Sequence, residues 1–249
     1  MPAYTFRGAG TVLSSGSGAN LSPTVTHSVG DLLVLHAGQR VGTETLAAMT
    51  GWTQLGALNS NGSLEVWGRI ADGGANDDPT GDWSGTSFCQ AWLEAWYGDV
   101  YTDLGTIIAA SNTYGNSSSS ELVVPALTVP QDNCLVLVSS RKNKTTTSND
   151  NTFTAPGSFT ERQEYVSTGA SSNAHASCSW QQTTAPNVRQ SNWARSGTAE
   201  SLASNALILA LKSSAACAGI APRAADYYVM LRQPRGHSMI FLKQSTSTT

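Results

Sequence analysis

The sequence is short of charge. Asp, Glu, Lys and Arg make up only 12% of its 249 residues, about half the usual share for a soluble protein. That shortage excludes a coiled coil or an ordinary helical bundle, which are built from Lys, Glu and Arg. Long hydrophobic runs are missing too. No window approaches the roughly 18 consecutive apolar residues that a membrane-spanning helix needs. Cysteine is sparse: Cys89, Cys134, Cys178 and Cys217 lie far apart, and none belongs to a C-x-x-C metal pair. Three of them sit in apolar, strand-like runs and read as reduced, buried thiols, with a disulfide as the alternative. The first residues, Met-Pro-Ala-Tyr-Thr-Phe-Arg, have no basic start followed by an apolar run. No secretory signal is expected, and the cytoplasm is the expected place of synthesis.

Catalytic signatures are also lacking. No G-x-S-x-G elbow, H-E-x-x-H pair or G-x-x-x-x-G-K-[ST] loop occurs. His27, His36, His175 and His237 have no neighbours at metal-ligand spacing, and each reads as a strand-edge or surface residue. Glu65 and Glu94 lie on candidate neighbouring strands, but a glycosidase needs its two carboxylates about 5–10 Å apart. Carboxylates on a strand surface are commonplace, so no enzyme is expected.

What the sequence does have is glycine (23 residues), abundant Ser, Thr and Asn, and 40% apolar residues. A packed core follows, and period-two alternation makes it all-β. Leu64-Glu65-Val66-Trp67-Gly68-Arg69-Ile70 and Ala91-Trp92-Leu93-Glu94-Ala95-Trp96-Tyr97 alternate cleanly. Leu32–Leu35, Leu135–Val138 and Ala206–Leu211 are short apolar runs that suit central strands covered on both faces. Asn61-Gly62 marks a hairpin, because both residues tolerate positive φ. About twelve strands are expected, and Thr43–Met49 is the one candidate helix.

An internal repeat organises these runs. Val29-Gly30-Asp31-Leu32-Leu33-Val34-Leu35 matches Gln131-Asp132-Asn133-Cys134-Leu135-Val136-Leu137 at an offset of 102. Gly51-Trp52-Thr53 matches Gly157-Ser158-Phe159-Thr160, and Ala91–Trp96 matches Ala206–Leu211 at an offset of 115. Loop insertions between repeated strands would produce that drift. Two half-units, approximately 20–100 and 121–213, could then pack face to face.

The same residues carry a resemblance. Gly30-Asp31-Leu32-Leu33-Val34-Leu35, then Gly51-Trp52-Thr53-Gln54-Leu55, then Trp67-Gly68-Arg69-Ile70-Ala71, a Gly/Asp loop and an Ala-rich closing strand resemble a two-half architecture of bacteriophage virion proteins. In the second half Pro156-Gly157-Ser158-Phe159-Thr160-Glu161-Arg162 follows the same pattern. The likeness spans residues 20–213. It implies a jelly-roll-like β-sandwich in the head or tail of a virion, made in the host cytoplasm. It also implies partners among major capsid or tail proteins and a homo-oligomer, a trimer by analogy. It transfers no catalytic residue.

Three groups are candidates for contact. The loop Asp72, Asn76, Asp77, Asp78 and Asp82 offers oxygen ligands for calcium, although it lacks EF-hand form; the alternative is a solvated turn. Trp67, Trp92 and Trp96 share their alternation phase with Glu65, Arg69, Gln90 and Glu94. They suit the core, a subunit interface or stacking on a surface glycan. Residues 214–249 form a C-terminal arm beyond the sandwich. Its apolar runs, with Tyr227, Tyr228 and Leu231 in one and Ile240 and Leu242 in the other, flank Arg232 and Arg235 across a Pro-Arg-Gly turn. A hairpin there cannot bury itself alone and should dock. The arm carries a net +3, against −7 for residues 1–120 and +1 for 121–213. Four basic residues are too few for the dense stripe that nucleic-acid binding needs. The function expected is therefore non-enzymatic: capsid decoration or a tail component, with a carbohydrate- or receptor-binding module as the alternative.

Overall fold

In the computed structural model the alternating runs form two large antiparallel sheets, and four short strands form two further two-stranded ladders. Residues 3–15, 20–40, 45–60, 62–81, 88–119, 122–144, 152–166, 172–182, 187–188, 192–195 and 202–214 are described. The first half contributes β1 (Tyr4–Ala9), β2 (Leu13–Ser15), β3 (Leu32–Gln39), β4 (Thr53–Asn59), β5 (Ser63–Ile70) and β6 (Cys89–Gly98). The second contributes β7 (Ile108–Ser119), β8 (Leu127–Thr128), β9 (Cys134–Lys144), β10 (Phe153–Thr154) and β11 (Thr160–Val166). It continues with β12 (Ser172–Gln182), β13 (Asn187–Val188), β14 (Ala194–Arg195) and β15 (Leu202–Leu211). One sheet has the order β4-β5-β3-β6-β1, with β2 also on β6; the other has the order β11-β12-β9-β15-β7. The all-β sandwich is what the pattern anticipated. Residues 45–49, part of the candidate helix, are not helical.

The two sheets share one five-strand order, and two of their bulges recur at corresponding places. Leu32 pairs with Trp96 as Leu135 pairs with Leu211. Thr53 pairs with Gly68 as Thr160 pairs with Ser179. The bulge that skips Leu55 in β4 recurs at Arg162 in β11. The bulge that skips Arg7 in β1 recurs at Ala109 in β7. Strand by strand the offset grows along the chain: Phe6 to Ile108 is 102, Leu32 to Leu135 is 103, Thr53 to Thr160 is 107, Gly68 to Ser179 is 111 and Trp96 to Leu211 is 115.

The central-strand offset is 103, not 102, because a one-residue slip turns every side chain to the other face. An offset of 102 would match Leu32, which faces the other sheet, with Cys134, which faces outward. The left-handed residue ahead of each central strand marks the true register: Gly30 at φ 90 and Asn133 at φ 57. The edge strands β1 and β7 also precede the expected half boundaries at 20 and 121. The connectivity further departs from a jelly roll, whose consecutive strands pass to and fro between sheets; here one sheet is complete before the other begins.

Apolar packing falls in three layers. Between the sheets lie Leu32, Val34, Leu64, Val66, Leu135, Leu137, Leu207, Leu209 and Leu211. The outer face of the first sheet buries Leu33, Leu35, Trp67 and Leu93 under Leu21, Leu46 and Trp52. The outer face of the second buries Val136, Val138 and Ile208 under Leu122, Val124, Phe153 and Trp193. Each fully buried Leu or Val is worth about 1.5–3 kcal/mol. Central strands covered on both faces are continuous apolar runs for this reason. After β15 the chain bridges from Ser213 to Val100, and the Ser214 amide donates to the Asp99 carbonyl at 2.9 Å.

Candidate functional site

Half of the space between the sheets is polar. Glu94 on β6 is fully buried and accepts hydrogen bonds from Ser177 Oγ at 2.5 Å, Trp96 Nε1 at 3.3 Å and Trp92 Nε1 at 3.5 Å. His36 Nε2 on β3 lies 3.3 Å from Glu94 Oε1. That contact is electrostatic rather than an aligned hydrogen bond, since neither ring nitrogen of His36 has a hydrogen-bond partner. Desolvation alone would push the Glu94 carboxyl up, but His36, Ser177 and Trp92 together hold it below its ordinary range. The Trp92 ring stacks on the His36 ring at 5.3 Å and tilts against the His175 ring at 4.2 Å. His175 on β12 makes a 2.8 Å hydrogen bond from Nε2 to Ser139 Oγ on β9, while its Nδ1 has no partner. Burial, then the neighbouring His36 and Arg141, hold His175 well below its ordinary value.

Arg141 completes the cluster from β9. Burial, then Arg40, bring its guanidinium down to about 9, so it stays charged at neutral pH. It donates to Asn143 Oδ1 at 2.6 Å and to the Arg40 carbonyl at 3.3 Å. Gly38 makes room for it: a Cβ there would sit 3.1 Å from both Arg141 Cδ and His175 Nδ1. The Ser139–His175 pair has the reach of a nucleophile and its base. Yet His175, Glu94 and His36 are each 0% exposed, and among the described residues no carboxylate orients Nδ1 of His175. The cluster is sealed from solvent.

The sequence-predicted residues fall elsewhere or take other roles. His36 and His175, read as edge or surface residues, are wholly interior. Glu65 and Glu94 are not a carboxylate pair. β3 separates their strands, and Glu65 faces the outer layer, accepting from the Leu46 amide, Trp67 Nε1 and Gln54 Nε2 at 2.9 Å each. Burial outweighs those bonds and pushes Glu65 up. Trp67, Trp92 and Trp96, the interface and glycan candidates, are buried within the chain itself. Of the readings open for them, the core is the one found. Cys89 and Cys134 are buried thiols outside any disulfide; Cys217 and the Cys178 side chain lie outside the described part.

The acidic loop already holds a cation of the chain's own. Arg69 donates from Nε to Asp77 Oδ1 and from Nη2 to Asp72 Oδ2, each at 2.7 Å, and from Nη1 to the Gly51 carbonyl at 3.2 Å. Asp77 also accepts from the Gly73 amide at 2.8 Å and lies 3.3 Å from His27 Nε2. Its desolvation is outweighed by Arg69 and those amides, so its carboxyl is lowered. A guanidinium thus bridges Asp72 and Asp77 within this loop, and no three metal-ligating side chains converge among the described residues. Asp82 lies outside them. Asn76 accepts from Trp52 Nε1 through its carbonyl at 2.8 Å. Asp78 lines a groove of about 310 Å³ with Met49, Trp52 and Pro79. The arm candidates Tyr227, Tyr228, Leu231, Arg232, Arg235, Ile240 and Leu242 also lie outside the described residues.

No family model, no curated protein and no solved structure matches this chain. Sequence reasoning missed Ser139, Arg141, His175 and Ser177. Their signal was present as polar residues two apart in candidate strands, but that pattern ordinarily marks a solvent face.

Proposed function

We propose that the protein is a non-enzymatic structural component of a bacteriophage virion, decorating or stabilising the capsid or forming part of the tail. The observation that carries this reading is where the residues of the resemblance lie. Asp31 accepts from Arg7 and from the Ser28 amide. Gly51 lies at φ 77 under Arg69, and Trp52 packs beneath the loop that Arg69 clamps. These motifs hold a scaffold together; none of them presents a reacting group to solvent. The sealed Ser139–His175 pair fits the same reading. Partners are then capsid or tail proteins and further copies of the chain, a trimer by analogy.

Mass spectrometry of purified particles tests the assignment: the chain should be present in a fixed copy number. Absence from particles, with the protein free in the lysate, overturns it. A second reading, glycan or receptor binding, draws on the groove beside Trp52. A glycan array with the purified protein separates the two, since a structural role predicts no binding at millimolar sugar.

A further inference from the structure

The matched registers give every interior position a counterpart in the other half. Glu94 corresponds to Leu209, Trp92 to Leu207 and Trp96 to Leu211. Ser177 corresponds to Val66 and His175 to Leu64. The side between β15 and β5 is therefore packed with leucine and valine, while the side between β6 and β12 holds a carboxylate, an imidazole and a hydroxyl. The same wiring closes without ionisable groups, as the apolar side demonstrates. A buried ion costs several kcal/mol, so stability does not account for them.

The titratable and charged groups facing His175 come from the strands packed around it. They are His36 on β3, Glu94 on β6, Arg141 on β9 and Tyr165 on β11, which pairs with His175 in register. Arg162 on β11 lies farther out, its guanidinium 5.1 Å from the Trp96 ring centre, and Arg40, just past β3, adds its charge beside Arg141. Among the described residues, cation-forming groups outnumber the one carboxylate in this cluster, and a further proton on His175 meets no second carboxylate there. It would be placed on a ring in contact with Trp92, in a space closed to water.

We propose that the polar half of the interior is a proton-operated latch: protonation of His175 parts β6 from β12, while the apolar half between β15 and β5 stays packed as the hinge. This does not depend on the virion assignment. Closed, the cluster holds His175 neutral; opened, the ring regains its ordinary affinity for a proton, with a pKa near 6.5. The open form therefore binds more protons, and each pH unit below about 6.5 favours it by up to tenfold. Below 4.5 the protonation of Glu94 acts in the same direction. Burial raises Glu65 and Glu161, which act in the opposite direction in that lower range from outside the cluster.

Hydrogen exchange of the full chain at pH 7.5 and 5.5, corrected for intrinsic rates, reads the latch against its own internal control. Amides of β6 and β12 should lose protection about tenfold at pH 5.5 relative to their counterparts in β15 and β5. His175→Leu, which copies Leu64, should abolish the difference. An equal change in both halves overturns the proposal, as does a pH response that survives in H175L. Should H175L fail to fold, His175→Gln serves in its place, and the wild-type comparison decides on its own.

Discussion

Replacing Arg69 with methionine isolates one buried ion pair whose surroundings are fully specified. The Arg69 side chain is 7% exposed and that of Asp77 2%, so the substitution keeps most of the apolar stem and strands a buried carboxylate. Removing one partner of a buried pair costs about 3–5 kcal/mol. Asp77 retains the Gly73 amide at 2.8 Å, the Asp72 amide at 3.3 Å and His27 at 3.3 Å. Those contacts place the expected loss at the lower end, about 3 kcal/mol. With a urea slope of about 3 kcal/mol/M for a chain of this size, the midpoint should fall by about 1 M. Asp77→Asn in the R69M background should recover part of the loss, giving a coupling energy of about 1.5 kcal/mol or more. The sign of the pH dependence follows from the lowered Asp77 carboxyl. Its contribution is present above 3.8 and is lost as pH falls through the folded value, so the gap between wild type and R69M should narrow in acid. A midpoint shift below about 0.3 M, or coupling near zero, would mean that the clamp contributes little and that other contacts hold the loop.

Other substitutions address the layers and the arm. Gly56→Ala would set a Cβ 2.8 Å from Leu207 Cδ2, and thermal unfolding should report a loss of about 1–3 kcal/mol from overpacking. Trp92→Ala should cost about 3–5 kcal/mol by opening a cavity between the sheets, read by urea titration. Cys89 and Cys134 are buried, and burial pushes the Cys134 thiol up. Neither should react with a thiol reagent until the protein is unfolded in urea. On the proposed virion role, deleting residues 214–249 should leave the circular dichroism of the sandwich unchanged but weaken co-sedimentation with particles, and about 1 M salt should weaken it far less.

The strands were legible because their burial leaves a simple trace. Leu32–Leu35 and Leu135–Val138 are apolar without interruption because both faces of β3 and β9 are covered. The hairpin at Gly62 was legible for a different reason: its φ of 114 suits glycine. The interior cluster was not legible, because alternation gives the face of a residue only relative to its neighbours. Glu65 and Glu94 have equivalent phases within their strands, yet one faces the outer layer and the other the facing sheet. His175 and Ser177 alternate like a wet surface, and only the other sheet, nearly a hundred residues away in sequence, makes their side an inside. The offset error of one residue has the same origin: matching letters aligned Asp31 with Asn133, whereas the backbone aligns Gly30 with it.

Each sheet is drawn from one contiguous stretch, and this bears on which surfaces meet during synthesis. The first sheet can form once residues through 98 have emerged, with its inner face waiting for a partner, and on a polysome the nearest candidate is the same sheet of the next chain. Such a like-with-like pairing, made in the observed register, would set Glu94 against Val66 and Trp92 against Leu64. Glu94 would then be buried without Ser177, and Trp92 without His175. In the correct pairing the second sheet supplies both. A sheet paired with its like would therefore leave these polar groups without their partners, which disfavours that pairing against the native one.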